Sequence, residues 1–212
     1  MKASAQRMPG WMFIFGWMGL SILSLLLAWG LTVVILKAIQ DVIGDTIQVV
    51  GRTHITEDYL APYIIFTLVG FLSGLLQFLL IRKFISKAGG WILATFLGWI
   101  IPFVTVKLLS VLDPTGLYVN NLLVVPLLLI LAGGALGLEQ WRVLKSQVRH
   151  AGWWILISGL AWGLTGLIIR STISEAYDFW VLLLLPALVT GLGLWWLLGW
   201  LPWRDESVSN NR

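Results

Sequence analysis

The chain has 212 residues, 58% of them hydrophobic and only 11% charged, which is more apolar surface than a soluble domain of this length can bury. It contains no cysteine, so disulfides, thiolate catalysis, cysteine-ligated metals and iron–sulfur clusters are excluded together. The net charge of +4 comes from fourteen Lys and Arg against ten Asp and Glu, and in so apolar a chain their placement informs topology rather than nucleic-acid binding.

A bilayer core of about 30 Å takes roughly 20 apolar residues per crossing helix. Six runs meet that length: 11–36, 61–81, 91–112, 117–138, 153–169 and 179–201. The first follows Lys2 and Arg7 as a secretory signal would, but a signal's apolar core is about 7 to 15 residues. This run lasts to Lys37 and reads as a retained anchor helix. The segment 37–60 is the one long connection. Its Ile39, Val42, Ile43, Ile47, Val49 and Val50 stand among polar residues, and it is expected to lie along the outer membrane surface. The polar stretch 203–212 reads as a frayed tail.

Alternating the connections across the membrane puts Lys2, Arg7, Arg82, Lys83, Lys87, Arg142, Lys145, Arg149, Arg204 and Arg212 on one side. Lys37, Arg52, Lys107 and Arg170 fall on the other, with Asp41, Asp45, Glu57, Asp58, Asp113, Glu175 and Asp178. The positive-inside rule then makes both termini cytoplasmic. The expected fold is all-α: a polytopic transmembrane helical bundle of about six helices built from repeated parallel hairpins, forming a single domain over 1–212. The expected location is a bacterial inner membrane or an internal photosynthetic membrane.

The hairpin repeat comes from sliding the chain on itself by 63 residues. Gly70-Phe-Leu-Ser-Gly-Leu-Leu-Gln77 then meets Gly133-Gly-Ala-Leu-Gly-Leu-Glu-Gln140, and Ala88-Gly-Gly-Trp-Ile-Leu93 meets Ala151-Gly-Trp-Trp-Ile-Leu156. Trp99 falls on Trp162 and Lys107 on Arg170, giving eleven identities in 38 positions, against roughly three expected by chance from a Leu-rich composition. The unit, 70–107 and again 133–170, is an inward helix, a tight basic turn and an outward helix. Pro62, Pro126 and Pro186 on the inward helices, with Trp11, Trp91 and Trp154 opening the outward ones, extend the pattern to three out-and-in hairpins of helices 1 and 2, 3 and 4, and 5 and 6. Parallel repeats of this kind build a pseudosymmetric bundle with a cavity or seam at the repeat interface.

The twin pattern Gly-x-x-x-Gly-Leu-x-Gln-(Phe or Trp), a basic residue five positions after the Gln, then Ala-Gly-x-Trp-Ile-Leu, resembles a recurrent motif of uncharacterised bacterial multispan membrane proteins, associated with photosynthetic lineages. The resemblance covers about half of the chain. It implies the topology and carries no reaction, cofactor or catalytic residue.

Several residues invite a role. Gly70 and Gly74, Gly133 and Gly137, and Gly159 and Gly163 each set two glycines one turn apart, so a neighbouring helix can approach to backbone contact, inside the bundle or in a partner. Gln77 and Gln140 follow the second glycine by three residues. An amide donates and accepts at once, so each can bridge helices or hold a polar ligand. Glu139 has Arg142 three residues on as its natural partner.

Lys107 and Arg170 follow the paired tryptophans Trp91 and Trp154 by 16 residues, a rise of about 24 Å. That puts them at the outer edge of the hydrocarbon, where they can snorkel, complement the helix dipole, or form with Lys37 a ring for an anionic headgroup. His54 and His150 fall in connections and read as solvated or headgroup-contacting. The fourteen tryptophans cluster at span ends as an aromatic belt, with Trp29, Trp99 and Trp162 deeper.

Motifs of hydrolases, metalloproteases and phosphate loops are absent from the sequence, and no cofactor is implied. The leading expectation is a non-catalytic integral membrane subunit, not an enzyme, which sits in the lipid bilayer and packs through its Gly faces and Trp-rich exterior with other membrane protein subunits or itself, and with no nucleic acid. The alternative is a membrane-embedded binding or transport module for a small or lipophilic substrate, lined by Gln77, Gln140, Ser73, Thr95, Thr105, Ser158 and Thr165. An intramembrane enzyme acting on lipids or isoprenoids has no motif behind it. Polar side chains converging on one interior path mark the binding module; a glycine face turned outward marks the docking subunit.

Overall fold

The structure, a computed structural model, describes residues 10–49, 51–112, 123–171 and 175–199, without side chains at 105, 106, 108–112, 169–180, 182 and 183. Six helices make up nearly all of it: α1 Met12–Ile43, α2 Thr56–Ile81, α3 Gly90–Leu112, α4 Val124–Leu144, α5 Trp153–Ser171 and α6 Glu175–Leu198. Two short strands, β1 Thr46–Val49 and β2 Arg52–Ile55, pair antiparallel between α1 and α2.

The expectation for 37–60 is corrected here. The first helix runs on to Ile43, so its 32 residues span about 48 Å and outreach the hydrocarbon. Gly44, at φ +90°, stops it and donates its N–H to the Gln40 carbonyl. The chain then forms a hairpin, with Thr46 opposite Ile55 and Val49 opposite Arg52, turning through Gly51 at φ +74°. Both glycines adopt a backbone that a side chain would strain. Thr56 pins the hairpin's base: its N–H reaches the Asp45 carbonyl and its Oγ1 the Gly44 carbonyl, at 2.9 and 2.8 Å. The α2 helix therefore starts five residues before the expected 61. The fourth helix also runs six residues beyond the expected 138, carrying Gln140 and Arg142 inside it. Glu139 pairs with Arg142 along its last turns, where a cation also complements the helix dipole.

Each helix packs against the next, α1 on α2 through to α5 on α6, and α6 returns to α1. The six helices therefore close into a ring. Glycines set the spacing of its closest walls. A Cβ on Gly74 would lie 2.8 Å from the Ile92 carbonyl oxygen, so α2 touches α3 backbone to backbone. A Cβ on Gly133 would lie 2.6 Å from the Ser158 carbonyl oxygen, and one on Gly137 2.8 Å from Ser158 Cβ, which seats α4 on α5 in the same way. Gly159 and Gly163 answer from α5, facing Ile130 of α4. Gly70 faces Phe96 and Trp99.

Large apolar side chains cover the outside of the ring, among them Leu27, Trp29, Val33 and Val34 on α1, Leu131 on α4, and Leu156, Leu160 and Leu164 on α5. A water-soluble surface does not carry such continuous apolar cover. Three helices, α1, α2 and α4, are long and apolar enough to cross a membrane, and α3, α5 and α6 contribute shorter apolar stretches, 90–104, 153–168 and 184–198.

The densest packing lies at one end of the ring, where the basic turns 82–89 and 145–152 join the helices. Ile81, Ile85, Ala88 and Trp91 from α2, the first turn and α3 meet Leu144, Val148, Ala151 and Trp154 from α4, the second turn and α5, each 63 residues on. Phe13 and Trp17 of α1 and Leu194, Leu197 and Leu198 of α6 complete this plug. Gln147 of the second turn ties the two turns together, its Oε1 accepting from the N–H and Oγ of Ser86, both at 2.8 Å.

Candidate functional site

Above the plug lies a cavity of about 60 Å³ to which all six helices contribute. At its base three tryptophans cluster, of which Trp17 and Trp154 line it and Trp91 packs against both. Trp17, Trp91 and Trp154 are each almost completely buried, with ring centroids 5.9, 6.3 and 6.1 Å apart in edge-on and tilted arrangements. Such geometry sets the positive edge of one indole against the negative face of another. Every indole N–H must then find an acceptor, because an unpaired donor at this depth is costly.

Three hydrogen-bonded sets supply those acceptors. In the first, Trp91 Nε1 donates to Gln77 Oε1 and Gln77 Nε2 donates to Ser21 Oγ, both at 3.1 Å, linking α3, α2 and α1. In the second, Trp154 Nε1 donates to Gln140 Oε1 and Gln140 Nε2 to Thr95 Oγ1, both at 2.9 Å, linking α5, α4 and α3. The third closes the ring. Trp17 Nε1 donates to Thr190 Oγ1 at 3.1 Å, linking α1 to α6. Its next partner by the same logic is Ser158 on α5, but the short Thr190 side chain gives its own hydrogen to the Pro186 carbonyl. Ser158 Oγ, buried to 1% exposure, has no hydrogen-bond partner among the described residues.

The lining follows the same three-way order. Ser21, Thr95 and Ser158 stand four residues after these three tryptophans, and Leu25, Trp99 and Trp162 four residues further. From the opposite helices come Ser73, Leu136 and Pro186, each four residues before Gln77, Gln140 or Thr190. Trp99 and Trp162 meet edge-on at 5.3 Å. Ser73 shares a 2.7 Å bond with Ser24, whose Oγ also donates to the Ser21 carbonyl. Among the described residues no Asp, Glu, Lys, Arg or His lines the cavity.

An aromatic path leads away from the cavity: Trp99 to Phe66, Phe66 to Phe103, Phe103 to Tyr63, Tyr63 to Tyr59, and Tyr59 to His54 on the hairpin, with successive centroids 4.9 to 6.0 Å apart. Lys107 caps this path, its Nζ 4.8 Å from the Tyr63 ring centroid and 5.9 Å from that of Tyr59.

The residues singled out from sequence thus fall into separate places. Gln77, Gln140, Ser73, Thr95 and Ser158 gather at the cavity, with Trp99 and Trp162. Thr165 turns back to the Ala161 carbonyl of its own helix and does not line it. The side chains of Thr105 and Arg170 lie outside the described residues. Lys37 bonds Asp41 of its own helix at 3.0 Å. The six glycines Gly70, Gly74, Gly133, Gly137, Gly159 and Gly163 face other helices of this chain. His150 sits in the second basic turn at φ +61°.

One expectation is corrected. Trp11 does not stand with Trp91 and Trp154; it is 65% exposed, and Trp17 takes that place at 1%. The indole N–H bonds join α3 to α2, α5 to α4 and α1 to α6, and the Gln77 and Gln140 amides also tie α2 to α1 and α4 to α3. Sequence reasoning also passed over Ser21 and Thr190. The signal for Ser21 was present, since Trp17, Ser21 and Leu25 keep the spacing of Trp91, Thr95 and Trp99.

Among the described residues no three His, Asp or Glu side chains gather as a metal group. What the arrangement offers is a small uncharged chamber with hydroxyls, amides and indole faces, suited to holding a molecule by shape and hydrogen bonds. No protein-family model matches the chain, and no curated protein or solved structure matches it either.

Proposed function

We propose that this protein is a membrane-embedded binding module that holds a small uncharged molecule in the chamber at the centre of its helix ring. The observation that carries the reading is convergence: polar side chains from α1 to α6 meet in one interior space, around Gln77, Gln140 and Ser158. Polar side chains in an apolar bundle bond between helices, and where they also border an interior space with an unpaired hydroxyl, as Ser158 does among the described residues, they can hold a ligand. The competing reading as a docking subunit draws on the glycine pairs, and those glycines are occupied by helices of the same chain. In this reading the six helices cross a bacterial inner membrane with the basic turns and both termini in the cytoplasm, by the positive-inside rule. The apolar plug then seals the chamber from the cytoplasm, and the protein binds without catalysing.

The test is to purify the full chain in a mild detergent and identify by mass spectrometry what travels with it in organic extract. Leu25→Trp serves as the control, because it places a third indole beside Trp99 and Trp162 and fills the chamber. A defined small compound bound to the wild type and lost from Leu25→Trp supports the reading. Stoichiometric protein partners with no such compound return the protein to the docking-subunit reading.

A further inference from the structure

Two of the three hydrogen-bonded sets are complete and one is not. Gln77 and Gln140 each take an indole hydrogen from the following helix on Oε1 and pass one on from Nε2 to a hydroxyl of the preceding helix. In the third set the donor, Trp17, and the receiving hydroxyl, Ser158, are both in place, but Thr190 is too short to join them. Thr190 Oγ1 has one lone pair taken by Trp17 and its hydrogen taken by Pro186, which leaves one lone pair free. Ser158 Oγ can both donate and accept.

Resting on the binding-module reading above, we propose that a small neutral molecule completes this third set, placing a primary amide or hydroxyl between Thr190 and Ser158 where the other two sets hold a glutamine amide. Its N–H or O–H donates to Thr190 Oγ1 or Ser158 Oγ, and its oxygen accepts the Ser158 hydrogen. The apolar remainder of the molecule lies against Leu25, Pro186 and the indoles of Trp99 and Trp162. Charge is selected against, because among the described residues no lining side chain carries a compensating charge and an unpaired ion in such a site pays its full desolvation cost. Size is limited too: about 60 Å³ corresponds to about four waters, or a molecule of about four to six heavy atoms.

Propionamide is the probe, with sodium propionate as its charged counterpart, titrated into the full chain in lipid nanodiscs and followed by saturation-transfer NMR and by thermal unfolding. The wild type is expected to bind propionamide and not propionate. Thr190→Gln is expected to close the third set from within, raise the unfolding temperature and abolish propionamide binding. Ser158→Ala, which removes one hydroxyl and leaves the fold intact, weakens binding about tenfold, the effect of one hydrogen bond in a buried site.

No uptake of propionamide by the wild type, or equal uptake of propionate, overturns the proposal. So does propionamide binding unchanged in Ser158→Ala, a result that holds even if Thr190→Gln fails to fold. Binding that ignores Thr190→Gln and Ser158→Ala but vanishes in Leu25→Trp defeats this inference while leaving the chamber as a ligand site. Binding that survives all three variants removes the chamber reading as well.

Discussion

Thr95 and Ser158 occupy matching places, 63 residues apart, and both are 1% exposed, yet replacing their hydroxyls should have opposite effects. Thr95 Oγ1 accepts from Gln140 Nε2 at 2.9 Å, so Thr95→Val, which keeps the side chain's volume, breaks that bond and strands the amide in a buried site. Hydrogen bonds between helices in membranes are worth about 0.6 kcal/mol on average and the stranded donor adds about 1 to 3 kcal/mol, so the substitution should cost about 2 kcal/mol. Ser158 Oγ makes no bond among the described residues, and Ser158→Ala deletes a buried unpaired hydroxyl. That change should be neutral or stabilise ligand-free protein by about 1 kcal/mol. The assay is equilibrium unfolding of ligand-free protein in mixed micelles, read by near-ultraviolet circular dichroism from the tryptophan cluster. A gap of about 3 kcal/mol between the two variants is the expected outcome. Equal losses from both would mean that Ser158 is as firmly bonded as Thr95, and the argument from an incomplete third set would fall.

Neighbouring glycines should behave just as differently. Gly133→Ala would force a methyl to 2.6 Å from the Ser158 carbonyl and separate α4 from α5, costing about 3 kcal/mol in the same assay, whereas Gly134→Ala meets nothing within 4 Å and should stay within about 0.5 kcal/mol of wild type. Gly51→Val places a branched side chain at φ +74° and should destabilise the hairpin by about 1 to 2 kcal/mol, visible as faster amide exchange at Thr46 and Ile55 with the helices unaffected. Lys107→Met removes the cation from the faces of Tyr63 and Tyr59, and should cost about 1 kcal/mol in thermal unfolding; a loss no greater than that from Lys37→Met would show that the ring contact adds nothing.

Much of the chamber could be read from the chain. Gln77 and Gln140 declared themselves by repetition, and a repeated amide inside an apolar run carries a cost that only a partner offsets. The spacing of fourteen residues from each Gln to Trp91 or Trp154 is the hydrogen bond seen in the structure. The third set was hidden for two physical reasons. Its members lie at opposite ends of the chain, so sliding the sequence along itself cannot bring Trp17 to Thr190. Its acceptor has also changed chemistry, from amide to hydroxyl, while the apolar side chain one turn later persists as Ile81, Leu144 and Leu194. Trp11 drew attention because it opens the apolar run, but position in a run says nothing about which helix face points inward. The hairpin was legible too: Thr46 to Val49 alternate at a period of two, and Gly51 supplies the turn. Read at helical spacing, the same apolar residues suggested a surface-lying segment instead.

The return of α6 to α1 also constrains how the protein is made. The pairs α2 with α3 and α4 with α5 are joined by short turns, so each can form its indole–amide bond soon after its second helix leaves the ribosome. Trp17 has to wait for Thr190, 173 residues later, before its N–H finds an acceptor and its wall of the ring is sealed. Until then α1 carries an unmatched indole and an open seam on the side where α6 will pack. Synthesis of this fold therefore begins with a helix that is finished last, and a nascent chain halted before α6 should be the form most exposed to insertion factors and to membrane proteases.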